Sequence, residues 1–305
     1  MKIIITGVTG LIGSNLANEL AKTHQIIGLT RNPERAKHRF AENLELTAWD
    51  AETTKGWQKH LSGDYAIINL AGEPIAGKRW SKSQKERIIN SRLNSVNAIA
   101  AGIENATDKP QVVIQASANG YYGQDPEYTF TEQDGHGTGF LADTTKKWEE
   151  AAQKIKAGGI RMPLLRTGIV LSKDGGALPE LLKPFQFYAG GFIGSGQQWM
   201  SWIHITDHIQ AVKFLLEKQS ADGPYNLTAP KPVKMKTLIK TTGQILNKPV
   251  WTRVPGFALK TFMGSMADEM LLNGTKAMPE KLQQQGFQFN FPDIEVALQD
   301  ILKKE

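Results

Sequence analysis

Short apolar runs separated by stretches of helical periodicity organise the first half of the chain. Lys2 to Thr6 (KIIIT) is Ile-rich with little polar alternation, as a parallel strand buried on both faces should be. Ser14 to Lys22 then places Leu16, Ala17 and Leu20 on one helical face. Gln25 to Thr30, Leu44 to Trp49, Tyr65 to Leu70 and Val112 to Ala116 read as four further strands, and Arg161 to Leu171 contains a sixth. Helices are predicted from about Ser81 to Ala106 and from Leu141 to Lys156. Strands alternating with helices at this spacing imply right-handed βαβ crossovers, hence an α/β fold built on a doubly wound parallel sheet.

From Ser172 the texture changes to Gly- and Pro-punctuated loops, with Gly190, Gly191, Gly194 and Gly196 close together. Such loops commonly build substrate regions at the carboxyl edge of an α/β sheet. Ser201 to Leu216 returns toward a helix, and beyond Pro230 the pattern is one of short helices, the strongest at Ile294 to Leu302. The expected organisation is a sheet domain over 1–171, rejoined by 201–228, and a smaller, mostly helical C-terminal substrate lobe from 172–200 and 229–305.

The first strand runs directly into Gly7, Gly10 and Gly13, and a helix follows at once. That arrangement is a nucleotide-phosphate cradle: one glycine for the tight turn, one for close approach of backbone to a pyrophosphate, one for close packing of the helix. The N–H groups and positive end of the helix would hold the phosphates. The strand before and the helix after supply the context this motif requires, and the fold expected is Rossmann-like.

At 305 residues the chain buries a large core. No segment reaches the roughly 18 consecutive apolar residues of a membrane span, and a strand at the N-terminus in place of a basic leader argues against a secretory signal. Zero cysteines exclude disulfides, thiolate metal sites and a Cys nucleophile, which fits the cytoplasm. The formal charge of +6 is dispersed, without a basic run interleaved with aromatics. It reads as solubility and binding of an anionic cofactor rather than of nucleic acid.

The second strand ends in Thr30, Arg31 and Asn32, with no Asp or Glu to bind a ribose 2′-hydroxyl. Arg31, with Arg35 nearby, suits a 2′-phosphate and hence NADP(H) over NAD(H), the bland alternative being a solvated Arg. Asp50 is placed to accept from an adenine amino group or to start a turn.

Taken together, Gly7–Gly13 (GVTGLIG), Asp50, Asn69–Gly72 (NLAG) and Ser117–Gly123 (SANGYYG) resemble the extended short-chain dehydrogenase/reductase superfamily. NLAGEPIAGKRW (69–80), SRLNSV (91–96), RTGIVL (166–171), SWIHITD (201–207) and MADEMLL (266–272) look like its atypical branch of epimerase family proteins. Members of that branch are NAD(P)-dependent epimerase/dehydratase-like, with a C-terminal domain of unassigned function. The likeness spans essentially the whole chain. It implies that Gly7, Thr9, Gly10, Leu11 and Ile12 contact the cofactor, that Arg31 takes the 2′-phosphate, and that Leu70, Ala71 and Gly72 line its path with Glu73 and Arg79 near it.

Hydride transfer in the wider superfamily resembles a Tyr-x-x-x-Lys pair on one helix face, where the Lys lowers the Tyr pKa and holds the nicotinamide ribose. Aligning by Trp148-Glu149 puts Leu141 and Thr145 at those positions, and a one-residue shift gives Ala142 and Lys146. Neither register supplies the Tyr. Ala118 stands where the family's hydroxyl usually does, leaving Ser117 one position away. Candidate proton-transfer groups are therefore Tyr121, Tyr122, Ser117 and His204, each weighed against core packing or a structural hydrogen bond. Asp207 reads as the N-cap of a helix starting near His208. Arg166 reads as an anion anchor or the partner of a buried carboxylate, and Glu132 as a solvated acid in preference to a substrate contact. His204 and His208 form a His-x-x-x-His spacing without a zinc-protease Glu, and no metal site is expected.

These features point to an NADP(H)-binding oxidoreductase or epimerase-like enzyme acting on a small polar molecule, a nucleotide sugar by fold analogy alone. The rival is a catalytically degenerate NADP(H)-binding sensor. The resemblance also raises a homodimer paired through helices flanking the sheet, although the helix at 81–106 needs no more than its own sheet.

Overall fold

The computed structural model describes residues 1–41 and 44–303. Seven strands hydrogen-bond in one sheet: β1 (Lys2–Thr6), β2 (Gln25–Thr30), β3 (Leu44–Ala48), β4 (Tyr65–Asn69), β5 (Val113–Ala118), β7 (Pro163–Thr167) and β12 (Gly223–Leu227). Their order is β12-β7-β5-β4-β1-β2-β3, reversing direction of growth at β1 as a doubly wound sheet does. Parallel registers pair Thr6 with Leu29 and with Asn69, and Thr30 with Ala48, so the carboxyl ends of β1, β2, β3 and β4 share one edge. Between the strands lie α1 (Leu11–Leu20), α2 (Pro33–Ala36), α3 (Lys82–Glu104) and α4 (Phe140–Lys156). Ser81 caps α3 by accepting from the Gln84 N–H.

The chain divides into two compact units. The first comprises Met1–Ser117, Thr144–Leu165 and Val212–Pro224. Its core joins Ile4, Trp57, Ile67, Ile99, Val113, Ala152 and Met162. The second comprises Ala118–Asp143, Arg166–Ala211 and Tyr225–Glu305. It holds the short strands β6 (Thr129–Phe130), β8 (Ile169–Leu171), β9 (Gly190–Ile193), β10 (Trp199–Met200), β11 (Trp202–His204), β13 (Val233–Lys234), β14 (Val250–Val254) and β15 (Lys276–Ala277). Its helices are α5 (Ala177–Gln186), α7 (Met235–Leu246), α8 (Gly256–Met263), α9 (Ser265–Ala267), α10 (Glu280–Gln284) and α11 (Ile294–Lys303), with α6 (Ile205–Glu217) beginning there. Leu178, Phe185, Trp202, Leu238 and Leu298 form its core.

Several expectations are corrected. The first helix starts at Leu11 rather than Ser14, because the turn closes at once through Gly10 N–H to the Gly7 carbonyl and Gly10 itself is the N-cap. The sixth strand breaks into β7 and β8 at Gly168, whose N–H bonds Leu227 while the next N–H bonds Ser201. A Cβ at 168 would lie 2.3 Å from the Ser201 carbonyl oxygen, so only glycine allows the change of partner. The 172–200 stretch is not all loop: Leu178 and Phe185 anchor α5 despite Pro184. The segment at 201–216 opens with β11 before α6, and pairs such as β14 with β9 add strands to the expected C-terminal helices. No helix among the described residues is long and apolar enough to cross a membrane.

Candidate functional site

The glycine turn leaves β1 with Gly7 at φ +64°. A side chain there would meet the Leu70 carbonyl oxygen at 2.6 Å, and one at Gly13 would stand 2.3 Å from the Gly7 carbonyl oxygen. Both positions therefore demand glycine by contact with backbone. Gly10 differs: its φ of −75° suits any residue, and an added Cβ meets only the Gly7 oxygen, at 3.3 Å. Gly10 keeps an approach to the helix N-terminus open. The first-turn N–H groups at Leu11, Ile12 and Gly13 have no acceptor within the helix, which leaves them to an anion. A dinucleotide pyrophosphate fits this cradle.

Beside it, Thr6 Oγ1 donates to Asn69 Oδ1 at 2.6 Å and accepts from the N–H groups of Leu70 and Ala71. Asn69 Nδ2 donates in turn to Gln115 Oε1. This buried ladder fixes the chain at Leu70–Gly72. Arg92 lies under Gly72, donates to the Glu73 and Ile88 carbonyls and stacks 5.0 Å from the Trp148 ring; burial lowers its guanidinium to about 10, against the Glu73 charge. Glu73 is half-buried, near Gln84 and Lys78, while Arg79 is exposed.

Arg31 is exposed at the end of β2 and has no hydrogen-bond or ion-pair partner among the described residues. Arg35 is exposed too, its N–H capped by Asn32. A third cation, Arg39, reaches back to the glycine turn, donating from Nη1 to the Thr9 carbonyl at 2.9 Å. Sequence reasoning missed it, since neither periodicity nor motif links 39 to 9. Asp50 is the turn former of its two readings: its carboxylate accepts from the Glu52 and Thr53 N–H groups and the Thr53 hydroxyl. Burial raises the carboxyl, and those bonds together outweigh it and hold the group below its ordinary value.

In the second unit Tyr122 is buried, donating to Asn226 Oδ1 at 2.7 Å and accepting from Arg166 Nη1 at 3.0 Å. Burial pushes its phenol up, against the Arg166 charge. Tyr121 is half-buried, with the Arg166 guanidinium 3.6 Å above its ring, and its hydroxyl has no hydrogen-bond partner among the described residues. Arg166 thus orders both tyrosines. Glu132 is not a solvated acid: it is buried, accepts from the Asn226 N–H at 3.0 Å and faces the Lys281 N–H at the start of α10. Burial pushes its carboxyl up, opposed by those N–H groups. Leu141 packs beside Gly120, and Glu269 accepts from the N–H groups of Phe140 and Leu141, capping α4. MADEMLL flagged the Glu269 segment, but nothing local named its target.

Ser117, in the first unit, is buried and donates to Glu149 on α4. His204 is buried, stacked on Phe291 with centroids 3.9 Å apart, and its Nε2 lies 3.4 Å from Asp300. Asp207 is not an N-cap. The helix begins at Ile205, His204 Nδ1 accepts from the Thr206 N–H, and Asp207 turns its carboxylate to the N–H groups of Asn290 and Phe291. His208 faces Thr167, so the two histidines serve different partners. Among the described residues no group of three or more His, Asp or Glu is placed to hold a metal ion.

The sheet order and glycine turn define a Rossmann-like, dinucleotide-binding protein of the extended short-chain dehydrogenase/reductase type. Residues 3–228 match the NAD dependent epimerase/dehydratase family, and 254–301 match a domain of unknown function, DUF1731. The chain belongs to the NAD dependent epimerase/dehydratase family. It is 38% identical to the epimerase family protein YfhF of Bacillus subtilis, covering 99% of this chain and 98% of that one. It is similar to the crystal structure of human epimerase family protein SDR39U1 with NADPH, at TM-score 0.87 and 27% identity over the full length of both. A nucleoside-diphosphate sugar epimerase from Corynebacterium glutamicum matches at TM-score 0.77 and 28% identity, over 99% of this chain and 58% of that one.

Proposed function

We propose that the chain binds NADP(H) in preference to NAD(H) and acts as an oxidoreductase or epimerase-like enzyme on a small polar substrate. The observation that carries this reading is the edge beyond β1 and β2. There a glycine turn open at Gly10 has Arg39 held on Thr9, and Arg31 follows β2, the strand paired with β1, with no acid from Thr30 to Pro33. The NADPH-bound human relative supports the cofactor, and the bacterial sugar epimerase lends weight to a nucleotide-sugar substrate.

In this reading Gly7, Thr9, Gly10, Leu11, Ile12 and Gly13 surround the pyrophosphate, and Arg31 pairs with the 2′-phosphate. Asp50 contributes through the turn it shapes, and Leu70, Ala71, Gly72, Glu73 and Arg79 border the rest of the path. The cofactor domain is 1–171 with 201–228, and 172–200 with 229–305 form the substrate lobe. Bound NADP(H) supplies a hydride donor or acceptor. Of the four candidate proton-transfer groups, the Tyr121 hydroxyl is the one not committed to a structural bond, so we assign it the proton transfer. Tyr122, Ser117 and His204 hold structure.

One feature of the sequence favours the sensor reading: in either register, Leu141 with Thr145 or Ala142 with Lys146, the helix supplies no Tyr for a Tyr-x-x-x-Lys pair. NADPH oxidation and NADP⁺ reduction over a panel of carbonyl compounds, alcohols and nucleotide sugars decide between them. Turnover above background that Tyr121→Phe reduces supports the enzyme. Tight NADPH binding with no turnover across the panel refutes it in favour of the sensor.

A further inference from the structure

Within the second unit Trp199 gathers two cations. Its indole Nε1 donates to the Pro126 carbonyl at 3.0 Å, which fixes the ring on β10. The ammonium of Lys234, its cross-strand partner on β13, lies 4.2 Å from the ring centroid, and that of Lys276 on β15 lies 4.8 Å away. The two ammonium groups are therefore within about 9 Å of each other. Both lysines are half-buried, and neither has an ion-pair partner among the described residues. Three exposed lysines of the unit meet carboxylates, Lys183 with Glu180 at 2.6 Å, Lys231 with Asp293 at 2.7 Å and Lys260 with Asp268 at 2.8 Å, and exposed Lys236 and Lys240, like Lys234 and Lys276, have no ion-pair partner among the described residues.

We propose that Lys234, Lys276 and Trp199 form a binding site for the phosphate or diphosphate group of a small molecule. Two like charges held on separate strands around one aromatic ring repel each other unless an anion joins them. A single carboxylate neutralises one ammonium; a phosphate ester or diphosphate carries the two negative charges that match both. The site is rigid. Thr275, next to Lys276, donates from its hydroxyl to the Gly123 carbonyl at 2.6 Å, and Ser201 Oγ bridges the Thr275 carbonyl and the Ala277 N–H. Those bonds tie the lysine's strand to the turn that follows Tyr121 and Tyr122. The role as a substrate-phosphate site rests on the proposed function; the affinity for the anion does not.

Isothermal titration of inorganic pyrophosphate into the full chain, free and saturated with NADPH, tests the inference. With NADPH occupying the glycine turn one-site binding is expected, weakened about tenfold or more by Lys276→Met and by Lys234→Met, as loss of a charge-assisted contact implies, and the free protein shows the same lysine-dependent site beside any binding at that turn. Lys276→Arg retains it, and Arg31→Ala leaves it unchanged. Melting temperatures establish that each variant is folded. No binding by the wild type, or equal binding by the methionine variants, overturns the site. Loss of binding with NADPH present or in Arg31→Ala also overturns it, by assigning the anion to the cofactor site. Should NADPH itself fail to bind, the proposed function falls while the titration of the free protein still decides the anion site.

Discussion

Gly10→Ala and Gly13→Ala each add one methyl group to the same turn, and the geometry separates their consequences. At Gly13 the new Cβ stands 2.3 Å from the Gly7 carbonyl oxygen and 2.9 Å from Val8 Cα, both backbone atoms that cannot rotate away. Overpacking costs about 1–3 kcal/mol, and contact this close with backbone belongs at the upper end. The better helix propensity of Ala returns about 1 kcal/mol, leaving a net loss of about 2 kcal/mol. At Gly10 the backbone is compatible and the sole close neighbour is at 3.3 Å. Reduced freedom of the unfolded chain gains about 0.4–1 kcal/mol, and the poorer N-cap loses a similar amount, so stability stays within about 1 kcal/mol of wild type. The Gly10 methyl instead occupies the approach to the helix N–H groups, and NADPH affinity should fall at least about tenfold, or 1.4 kcal/mol. Urea unfolding and NADPH titration on both variants measure the two effects. Equal destabilisation by the two substitutions, or wild-type NADPH affinity in Gly10→Ala, refutes the division of roles.

Tyr122→Phe strands Asn226 and Arg166 in a buried network and should cost about 1–3 kcal/mol in urea unfolding, whereas Tyr121→Phe stays within about 0.5 kcal/mol. Equal losses would contradict the different bonding of the two hydroxyls. His208 is brought down to about 3 by burial, so the unfolded chain binds a proton that the folded chain refuses between its ordinary 6.5 and about 3. Stability from this residue is complete above pH 6.5 and declines as pH falls, by about 1 kcal/mol between pH 6 and 5. His208→Gln should flatten that limb in urea unfolding, and superimposable acid limbs would count against it. Arg39→Met should weaken NADPH binding by up to about fivefold and NADH binding less, the scale of an exposed charge contact; an equal effect on both cofactors would remove Arg39 from the 2′-phosphate.

What the sequence made legible was local. Strands β1 to β5 follow from runs such as KIIIT and YAIIN, whose Ile content and spacing carry the parallel sheet without knowledge of partners. The glycine turn was readable because the positive φ at Gly7 and the contact of Gly13 with Gly7 and Val8 are set within a few residues, whereas the Leu70 carbonyl that also crowds Gly7 is distant in the chain. Roles that depend on distant chain were not. Asp207 looks like a cap beside its own helix, yet its acceptors are spent on Asn290 and Phe291, more than eighty residues away. Glu132 sits in a polar loop sequence but is buried against Asn226 and α10. The same limit applies to Arg39 and Glu269, whose side chains act on backbone groups that no periodicity relates to them.

The central claim is a dinucleotide site tuned to the 2′-phosphate, and the most direct measurement is titration of wild type and Arg31→Ala with NADPH and NADH by tryptophan fluorescence. The account predicts that wild type binds NADPH at least about tenfold tighter than NADH, the worth of a charge-assisted phosphate contact. Arg31→Ala should bring the two affinities together by losing NADPH alone. Equal affinities in wild type, or a preference that survives the substitution, would contradict it.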